Sequence, residues 1–470
     1  MPSEEMATTN GTSKHLLNLQ RGWPSTRLCT REALLEGAQE VLAEGEDMSA
    51  ILLYGPGKGY PPLCQSIAAW LTDVYRPSAG PIDPRRILIT NGASASLANI
   101  ALKYTDATYT RRVFMVEPTY FMACPIFIDC GLQGKLRGVP EGGSNGIDLD
   151  FLHRELEIAN KEDHWPAEPT LKTGIDYPHA YKYVLYCTTT YSNPSCKTMP
   201  NDIRTALVEL ARKHDILLIS DDVYDFLGWS TNGSGAAPFV PPRLVDLDRT
   251  IPGATEYGNA ISNGSFAKII GPGIRVGWIE STPSFASSLG LVGSSSSGGA
   301  PSHFASTIVE RTLRSGSLQN HIRHVLIPEY SKRCAALHAS IDRHLAPVGY
   351  TVEASRSSAD TAGGYFTYVR VPKSFIAYKV FAKTIAAIVL RDHKLRITFG
   401  HMFVVAGDED SLARAEQDDG FGYCMRLSWA WHETDQIEEA IERLATCTKE
   451  VLEKLEQGED VSKGLQIGIR

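Results

Sequence analysis

The stretch NDIRTALVELARKHDILLISDDVYDFL (Asn201–Leu227) combines a helical pattern, an apolar strand and a polar strand end. In its first half, apolar side chains recur at one-turn spacing: Ile203, Leu207, Leu210 and Ala211. This pattern predicts an amphipathic helix from Asn201 to His214, which Pro200 precedes. ILLIS (Ile216–Ser220) is almost continuously apolar, which is typical of a strand buried on both faces of a parallel sheet. The stretch therefore predicts an α/β fold.

Similar units lie on both sides of this stretch. Five further segments are predicted as strands: RRILIT (Arg85–Thr90), RRVFMVEPTY, YKYVLYCTTTYSNPS, AISNGSFA and IRVGWIE. ASLANIALKYT, which follows the first of them, is predicted as a helix. Strands separated by helices indicate βαβ units and a parallel sheet, whose chemistry lies at the carboxyl ends of its strands.

Size, charge and cysteine usage restrict the class of protein. With 470 residues, the chain is expected to form two domains. The net charge of −8 gives no basic footprint, so we expect no nucleic-acid partner. The polar segment MPSEEMATTNGTSKH has no apolar run typical of a signal peptide, and no stretch reaches the roughly 18 apolar residues of a membrane helix. Nine cysteines without a C-x-x-C pair favour reduced thiols in the cytoplasm.

Polar side chains follow the predicted strands where each one ends. They are Asn91 to Ser94 after ILIT, Tyr120 after VFMVEPT, Asn193 after YVLYCTTT, Asp221 and Tyr224 after ILLIS, and Lys268 after ISNGSFA. A lysine in this position is suited to a Schiff base with an aldehyde cofactor, of which pyridoxal phosphate (PLP) is the common one. Read alone, Lys268 also suits an ordinary surface loop.

Each part of PLP finds a suitable residue type in this set. A buried carboxylate at Asp221 would keep the pyridine nitrogen protonated. The phosphate requires N–H groups at a helix start, hydroxyls and an arginine. These are supplied by Gly92, Ala93 and Ser94, by Ser265, and by Arg275. Asn193 and Tyr224 are candidate donors to the ring oxygen, and Tyr120 is a candidate to stack on the ring face.

The order and spacing of these segments resemble a known family. GSFAKIIGPGIRVGW, SDDVYDFL and YSNPSC resemble the lysine, aspartate–tyrosine and N-P-x-G motifs of fold-type I PLP enzymes. The match is to the class I/II aminotransferase family, in the branch of kynurenine and 2-aminoadipate aminotransferases. YGPGKGYPPL resembles the segment that reaches the partner subunit's phosphate, and MRLSWA the segment that binds the substrate α-carboxylate. The resemblance runs from Leu16 nearly to the C-terminus.

The resemblance implies a role for each candidate residue. Catalytic roles fall to Lys268, as the Schiff-base lysine, and to Asp221 and Tyr224. Cofactor-binding roles fall to these three residues and to Gly92, Ala93, Ser94, Tyr120, Asn193, Ser265, Arg275 and Tyr54. Substrate-binding roles fall to Arg426, Gly22 and Asn193. For the partner's phosphate, Tyr60 on the same loop as Tyr54 stays an alternative.

The resemblance also implies the architecture and the reaction. It implies a large domain over residues 46–300, with a mostly parallel seven-stranded sheet between helices. A smaller α+β domain would combine residues 1–45 with 301–470. The implied protein is a cytoplasmic homodimer with shared active sites that moves an amino group from an L-amino acid to a 2-oxo acid, with 2-oxoglutarate as the expected acceptor. A PLP lyase and a non-catalytic regulator on the same scaffold are the alternatives.

Some segments depart from the family pattern or carry other signals. Cys196 replaces the glycine of N-P-x-G, so that turn must accommodate a side chain. Residues 161–181 and 228–253 are expected to be loop insertions. Gly293–His303 is predicted to be a flexible linker from its composition, whereas the family resemblance implies that this segment approaches the partner subunit's cofactor phosphate. His321 and His324 are expected at the surface, and no metal site is predicted.

Overall fold

The structure is a computed structural model that describes residues 15–143, 146–231, 240–299, 301–353 and 361–465. Fifteen strands are present in these residues: β1 (Leu17–Asn18), β2 (Ile87–Thr90), β3 (Arg112–Glu117), β4 (Leu136–Pro140), β5 (Tyr183–Cys187), β6 (Ile216–Asp221), β7 (Gly228–Ser230), β8 (Ala260–Ser265), β9 (Gly277–Glu280), β10 (Thr351–Val352), β11 (Thr361–Gly363), β12 (Phe366–Arg370), β13 (Leu395–Arg396), β14 (Thr398–Phe399) and β15 (Cys424–Ser428).

Seventeen α-helices are present in the same ranges. They are α1 (Arg31–Val41), α2 (Met48–Leu52), α3 (Pro61–Tyr75), α4 (Ala93–Tyr104), α5 (Ala123–Phe127), α6 (Leu149–Asn160), α7 (Asn201–His214), α8 (Leu244–Asp248), α9 (Pro283–Leu289), α10 (Gly293–Gly298), α11 (His303–Arg314), α12 (Ser317–His321), α13 (Ile327–Ser340), α14 (Lys373–Ala377), α15 (Ala382–His393), α16 (Glu409–Ala415) and α17 (Thr434–Glu456). Within the described ranges, no helix is both long and apolar enough to cross a bilayer.

The central sheet has seven strands in the order β2-β9-β8-β6-β5-β3-β4. Its strands run parallel except β9, which is antiparallel to both of its neighbours. The mostly parallel seven-stranded sheet is thus confirmed. β9 reverses because residues 266–276, which join it to β8, form only short turns, whereas a parallel return needs a longer crossover.

Helices cover both faces of this sheet. Along β6, Leu217 and Ile219 pack in one apolar layer with residues of α4 and α5. Ile216 and Leu218 pack in the opposite layer with residues of α6 and α7. Alternate residues of one strand therefore reach different layers, which explains why ILLIS is apolar throughout. The predicted helix Asn201–His214 forms with these bounds.

A second, four-stranded antiparallel sheet has the order β10-β12-β15-β14. The N-terminal segment joins this part of the chain, because β1 pairs with β13 and the Leu19 carbonyl accepts a hydrogen bond from Ser428 N. This arm carries Gly22 toward the end of β8. The domain boundaries at 45/46 and 300/301 stay a prediction, and residues 1–14 and 300 lie outside the described ranges.

The predicted linker and loops have mixed outcomes. The linker prediction for Gly293–His303 is wrong, since residues 293–298 form α10. The Val292 carbonyl accepts from Ser295 N and Ser296 N, so local hydrogen bonds outweigh the low helix propensity of Gly and Ser. Residues 161–181 contain no helix or strand. Residues 228–253 are not entirely loop, because they include β7 and α8, while 232–239 lie outside the described ranges.

Candidate active site

Lys268 lies in the turn that follows β8, where it contacts the N-terminal arm and the residue just before β12. Its Nζ donates to the Gly22 carbonyl at 2.6 Å, and its own carbonyl accepts from the Tyr365 hydroxyl at 2.8 Å. Burial, reinforced by the positive charge of Arg426, lowers the pKa of Lys268 to about 8, against the opposing effect of Asp221. A surface lysine would have a pKa near 10.4. Lys268 is therefore an enclosed amine that is partly neutral near pH 7–8.

Asp221 lies at the end of β6, with both carboxylate oxygens held by neighbouring strands. Tyr186 on β5 donates to Oδ2 at 2.8 Å, and Asn263 on β8 donates to Oδ1 at 3.2 Å. Burial raises the pKa of Asp221 to about 6, although these two donors favour the anion. A cation beside it would stabilise the charged form. Its neighbour Asp222 instead accepts from Ser220 and Ser262 in the core.

The turn between β2 and α4 presents groups that suit an anion. Gly92 has a φ of +91° and precedes Ala93, the first residue of α4, so the N–H groups of Ala93 and Ser94 have no acceptor within the helix. Arg275 donates from Nη2 to the Asn91 carbonyl at 2.6 Å. A Cβ on Gly92 would lie 2.5 Å from that Nη2, so the close approach requires glycine.

Two hydroxyl side chains complete this end of the site. Ser265 Oγ, at the end of β8, accepts from Ala267 N at 3.1 Å. Ser302 Oγ lies 2.5 Å from Asn91 Oδ1 and also contacts the Arg275 carbonyl. Asn91, Ser302 and Arg275 thus form one hydrogen-bonded group beside the start of α4. The guanidinium of Arg275 remains exposed on one side, where an anion has access.

Arg426 lies on β15 and is buried beside Asn193. Its Nη1 donates to Asn193 Oδ1 at 2.7 Å, and its Nη2 donates to the Gln20 carbonyl at 2.6 Å. Its guanidinium lies 4.1 Å from the centre of the Phe366 ring and 5.5 Å from that of Phe403. Burial lowers the pKa of Arg426 to about 10, yet the group remains a cation at neutral pH.

Arg426 has no anionic partner in the part of the chain that the structure describes. Among the described residues, no carboxylate forms an ion pair with it, and its buried Nε has no hydrogen-bond acceptor. A buried cation without a counter-ion is unfavourable, so the arrangement suits an incoming carboxylate, which accepts two N–H bonds from a guanidinium. Gly22 lies close to Arg426, since a Cβ on Gly22 would come within 2.8 Å of the Phe366 ring that packs on the guanidinium.

Three tyrosines were predicted at the site, and they lie in different surroundings. Tyr224 is buried, with its ring centre 5.7 Å from Lys268 Nζ. Tyr120 is partly buried, and burial together with the charge of Asp221 raises its pKa. Tyr54 lies apart from them on the surface, with 88% of its area exposed, beside the backbone of Gly299. Its alternative, Tyr60, is half-buried against His303.

Sequence reasoning missed several residues that support the predicted set. They are Tyr186, Asn263, Ser302, Tyr365 and Phe366. Asn263 left a signal, because a lone amide in an apolar strand that pairs in register with Asp221 is an expected partner. Ser302 lies in the segment Gly293–His303, which was expected near a cofactor phosphate, but no pattern marked this residue itself, because its contacts with Asn91 and Arg275 join distant parts of the chain. Of the histidines, His321 contacts the Leu28 carbonyl at 2.8 Å and has no cluster of ligands around it among the described residues.

The chemistry of these side chains fits pyridoxal phosphate. The amine of Lys268 has a buried carboxylate and a buried guanidinium in its neighbourhood, since Asp221 and Arg426 both influence its pKa. A separate group of N–H donors, hydroxyls and Arg275 is suited to a phosphate. Each part of the cofactor therefore has a complementary residue.

Comparisons with known proteins agree with this geometry. The family model for "Aminotransferase class I and II" matches residues 14–444. An uncharacterized protein of Saccharomyces cerevisiae is 33% identical, over 92% of this chain and 97% of its own length. Aromatic-amino-acid aminotransferase 1 of Thermococcus litoralis is 25% identical, over 93% and 89%. The fold matches the crystal structure of Pyrococcus horikoshii kynurenine aminotransferase in complex with PMP, at TM-score 0.72 and 22% identity, over 94% and 92% of the two chains.

Proposed function

From the premise that this chain belongs to the class I and II aminotransferase family, we propose that it moves the amino group of an L-amino acid to 2-oxoglutarate. The protein is a PLP-dependent transaminase. The proposal adds the acceptor and assigns Lys268 as the amine that bonds to the cofactor's aldehyde carbon. It also keeps the roles predicted for the remaining site residues.

The guanidinium of Arg426, which has no carboxylate partner among the described residues, carries the proposal. An amino acid donor and a 2-oxo acid acceptor share one group, a carboxylate on the carbon next to the reacting position. Arg426, with Asn193 at 2.7 Å, offers one binding site that serves both. Two N–H bonds to this carboxylate also fix the orientation of the bonds at Cα. A single site can therefore serve both halves of a transamination.

Lys268 is suited to move a proton within each half of the reaction. A pKa of about 8 leaves part of the amine neutral near pH 7, so Nζ would take the proton from the substrate Cα and deliver it to the cofactor's former aldehyde carbon, and would act in the reverse direction in the second half. Pyridoxal phosphate, when bound, supplies an aldehyde and an electron-withdrawing ring. Asp221, held by Tyr186 and Asn263, would keep the ring nitrogen protonated.

The other predicted residues would hold the cofactor in place. The phosphate would be bound by Gly92, Ala93, Ser94, Ser265 and Arg275. Asn193 and Tyr224 would donate to the ring oxygen, and Tyr120 would cover the ring face. We also propose a homodimer in which Tyr54 of each subunit reaches the phosphate of the other. The exposure of Tyr54 supports a role outside its own subunit.

Aromatic side chains near Gly22 and Arg426 favour an apolar or aromatic donor. Trp23, next to Gly22, lies edge-on to Trp431 with ring centres 6.2 Å apart. Phe366 and Phe403 both lie beside the Arg426 guanidinium. The name of the Thermococcus litoralis relative, an aromatic-amino-acid aminotransferase, agrees with this class. We propose the cytoplasm as the compartment, supported by nine cysteines without a disulfide.

Incubation of the PLP-loaded protein with single amino acids and 2-oxoglutarate tests the function. Aromatic and aliphatic donors are expected to give glutamate and the matching 2-oxo acid. The Arg426→Gln variant is expected to lower kcat/KM for donor and acceptor alike by about 100-fold, because both lose two charge-assisted bonds. Release of ammonia with pyruvate or 2-oxobutyrate, and no glutamate, would indicate a lyase and contradict the proposal.

A further inference from the structure

The turn that carries Asn193 contains a strained residue. Cys196 has a φ of +63°, in the left-handed region that favours glycine. A side chain in that region costs about 1 kcal/mol relative to glycine. The family motif has glycine at this position, so the cysteine adds backbone strain that glycine would not have. The contacts of the thiol indicate what it contributes.

The thiol of Cys196 joins the turn to the second sheet. Its Sγ lies 2.9 Å from the Phe366 carbonyl on β12, closer than the 3.4 Å to the Pro194 carbonyl within the turn, so Phe366 is the nearer acceptor for its single proton. The side chain is buried, and burial raises the pKa of the thiol, so it remains protonated and able to donate. Glycine at 196 would lack this bond.

The opposite side of the turn is fixed to the central sheet. Ser195 Oγ donates to Glu141, which directly follows β4, and Lys197 Nζ pairs with the same carboxylate at 2.9 Å. These two contacts hold the turn to the large sheet only. Cys196 supplies the side-chain bond that holds it to β12 in the other sheet.

Through Phe366, the contacts of Cys196 connect the turn to the proposed carboxylate site. The ring of Phe366 packs on the Arg426 guanidinium at 4.1 Å, and Arg426 donates back to Asn193 Oδ1 at 2.7 Å. Phe366 also pairs in register with Ser428 on β15, the strand that carries Arg426. A shift of the turn relative to β12 would therefore change the spacing between Asn193 and Arg426.

We propose that Cys196 is a positioning residue whose thiol hydrogen bond to Phe366 holds Asn193 against Arg426 and so preorganises the site for the substrate carboxylate. The inference rests on the proposed function of Arg426 and Asn193. It concerns binding of the carboxylate, so KM and ligand affinity are the quantities that it predicts, while kcat is expected to change little.

Three variants of Cys196 test this inference, with Cys334→Ala as a matched control. Cys334 is a buried cysteine that lines a small cavity together with Cys196. Loss of one hydrogen bond corresponds to about a 3–10-fold change in ligand affinity. Cys196→Ala and Cys196→Gly are therefore expected to raise KM for the amino donor by about 3–10-fold, with kcat within about twofold. Cys196→Ser, which keeps a donor, and Cys334→Ala should stay within about twofold in KM.

Thermal unfolding separates positioning from a general loss of stability. Cys196→Gly relieves the left-handed strain, so it should unfold at a higher temperature than Cys196→Ala. Their KM values should nevertheless rise together. If KM follows the unfolding temperature across the variants, Cys196 acts through stability alone and the inference is wrong.

Calorimetric binding of 3-phenylpropanoate provides a readout that does not depend on turnover. This compound has the carboxylate but no amino group to react. Its Kd should rise about 3–10-fold in Cys196→Ala and Cys196→Gly. In Cys196→Ser and Cys334→Ala the Kd should stay close to that of the wild type. Equal affinity in all four variants and the wild type would overturn the inference. A wild type that binds the probe but transaminates nothing would instead overturn the proposed function.

Discussion

At the scale of single residues, Lys268 lies in surroundings that are unfavourable for its positive charge. Its pKa of about 8 lies below that of a lysine in the unfolded chain, so the folded apo protein binds fewer protons. Its charge therefore destabilises the fold below pH 8, and this penalty is lost as pH rises from 8 to 10.5. A residue chosen only for stability would not be a lysine here.

The Lys268→Met variant tests this environment. At pH 7 the apo variant is expected to be more stable than the wild type by about 1–3 kcal/mol, reduced by the lost bond to Gly22. This difference in the free energy of unfolding should become smaller when urea unfolding is repeated at pH 9.5. A gap that is absent at pH 7, or that does not change with pH, would show that the lysine is not held in a desolvated site.

Asp221 provides a second prediction at this scale. Asp221→Asn removes the anion while keeping the shape, and should lower kcat by about 100- to 1000-fold, as loss of one preorganised charge does. Tyr186→Phe removes one of its donors and should lower kcat by only about 3–10-fold. Steady-state kinetics with one good donor compares them. An Asp221→Asn variant within tenfold of the wild type would contradict the assignment.

The sequence located these residues because each lies in a short, ordered pattern. Lys268 and Arg275 share one glycine-rich turn, and Asp221 and Tyr224 follow one strand. Ser302 and Phe366 could not be found in this way, because their contacts come from tertiary packing between distant segments. The lowered pKa of Lys268 also depends on Arg426, 158 positions away in the numbering, and no local pattern encodes it.

At the scale of elements, the turn between β2 and α4 sets the spacing of the proposed phosphate site. Gly92→Ala would place a Cβ 2.5 Å from Arg275 Nη2, at a φ of +91°. Displacement of Arg275 should raise the Kd for PLP by at least about tenfold. Titration of the apo variant with PLP, followed by absorbance, measures this. Gly273→Ala is the control, since a Cβ there meets no atom within 4 Å; equal affinity in both variants would refute the role of this turn.

Elements with a clear period were predictable, whereas those that depend on neighbours were not. The amphipathic pattern located α7 and the apolar run located β6. β4 was missed, because LRGVP at the edge of the sheet carries arginine, glycine and proline, and its pairing with β3 determines its conformation. α10 was taken for a linker because composition alone does not reveal its local hydrogen bonds.

At the scale of the whole molecule, the surface near Tyr54 supports the proposed homodimer. Leu52 and Leu53 are 61% and 65% exposed beside it, which is unfavourable for a monomer. Sedimentation should show a particle of twice 51.5 kDa. Leu53→Glu should shift it toward monomer, with weaker PLP binding because Tyr54 no longer reaches the partner. A fully active monomer would contradict both the dimer and the role of Tyr54.

Alternation of helices and strands predicted the central sheet. It did not predict where the four-stranded sheet lies relative to the central one. The arm at Leu17–Asn18 pairs with Leu395–Arg396, far along the chain, and brings Gly22 to Lys268. Such long-range pairing depends on the complete fold. Only the resemblance to a family, which carries that fold with it, placed Gly22 and Arg426 in one site.

Borohydride reduction of the PLP-loaded protein, followed by peptide mass spectrometry, tests the central assignment most directly. We expect one stable phosphopyridoxyl adduct, on the peptide that contains Lys268, and none in Lys268→Met. An adduct on a different lysine, or a loaded protein in which reduction labels no peptide, would contradict the assignment of Lys268 as the amine that holds the cofactor.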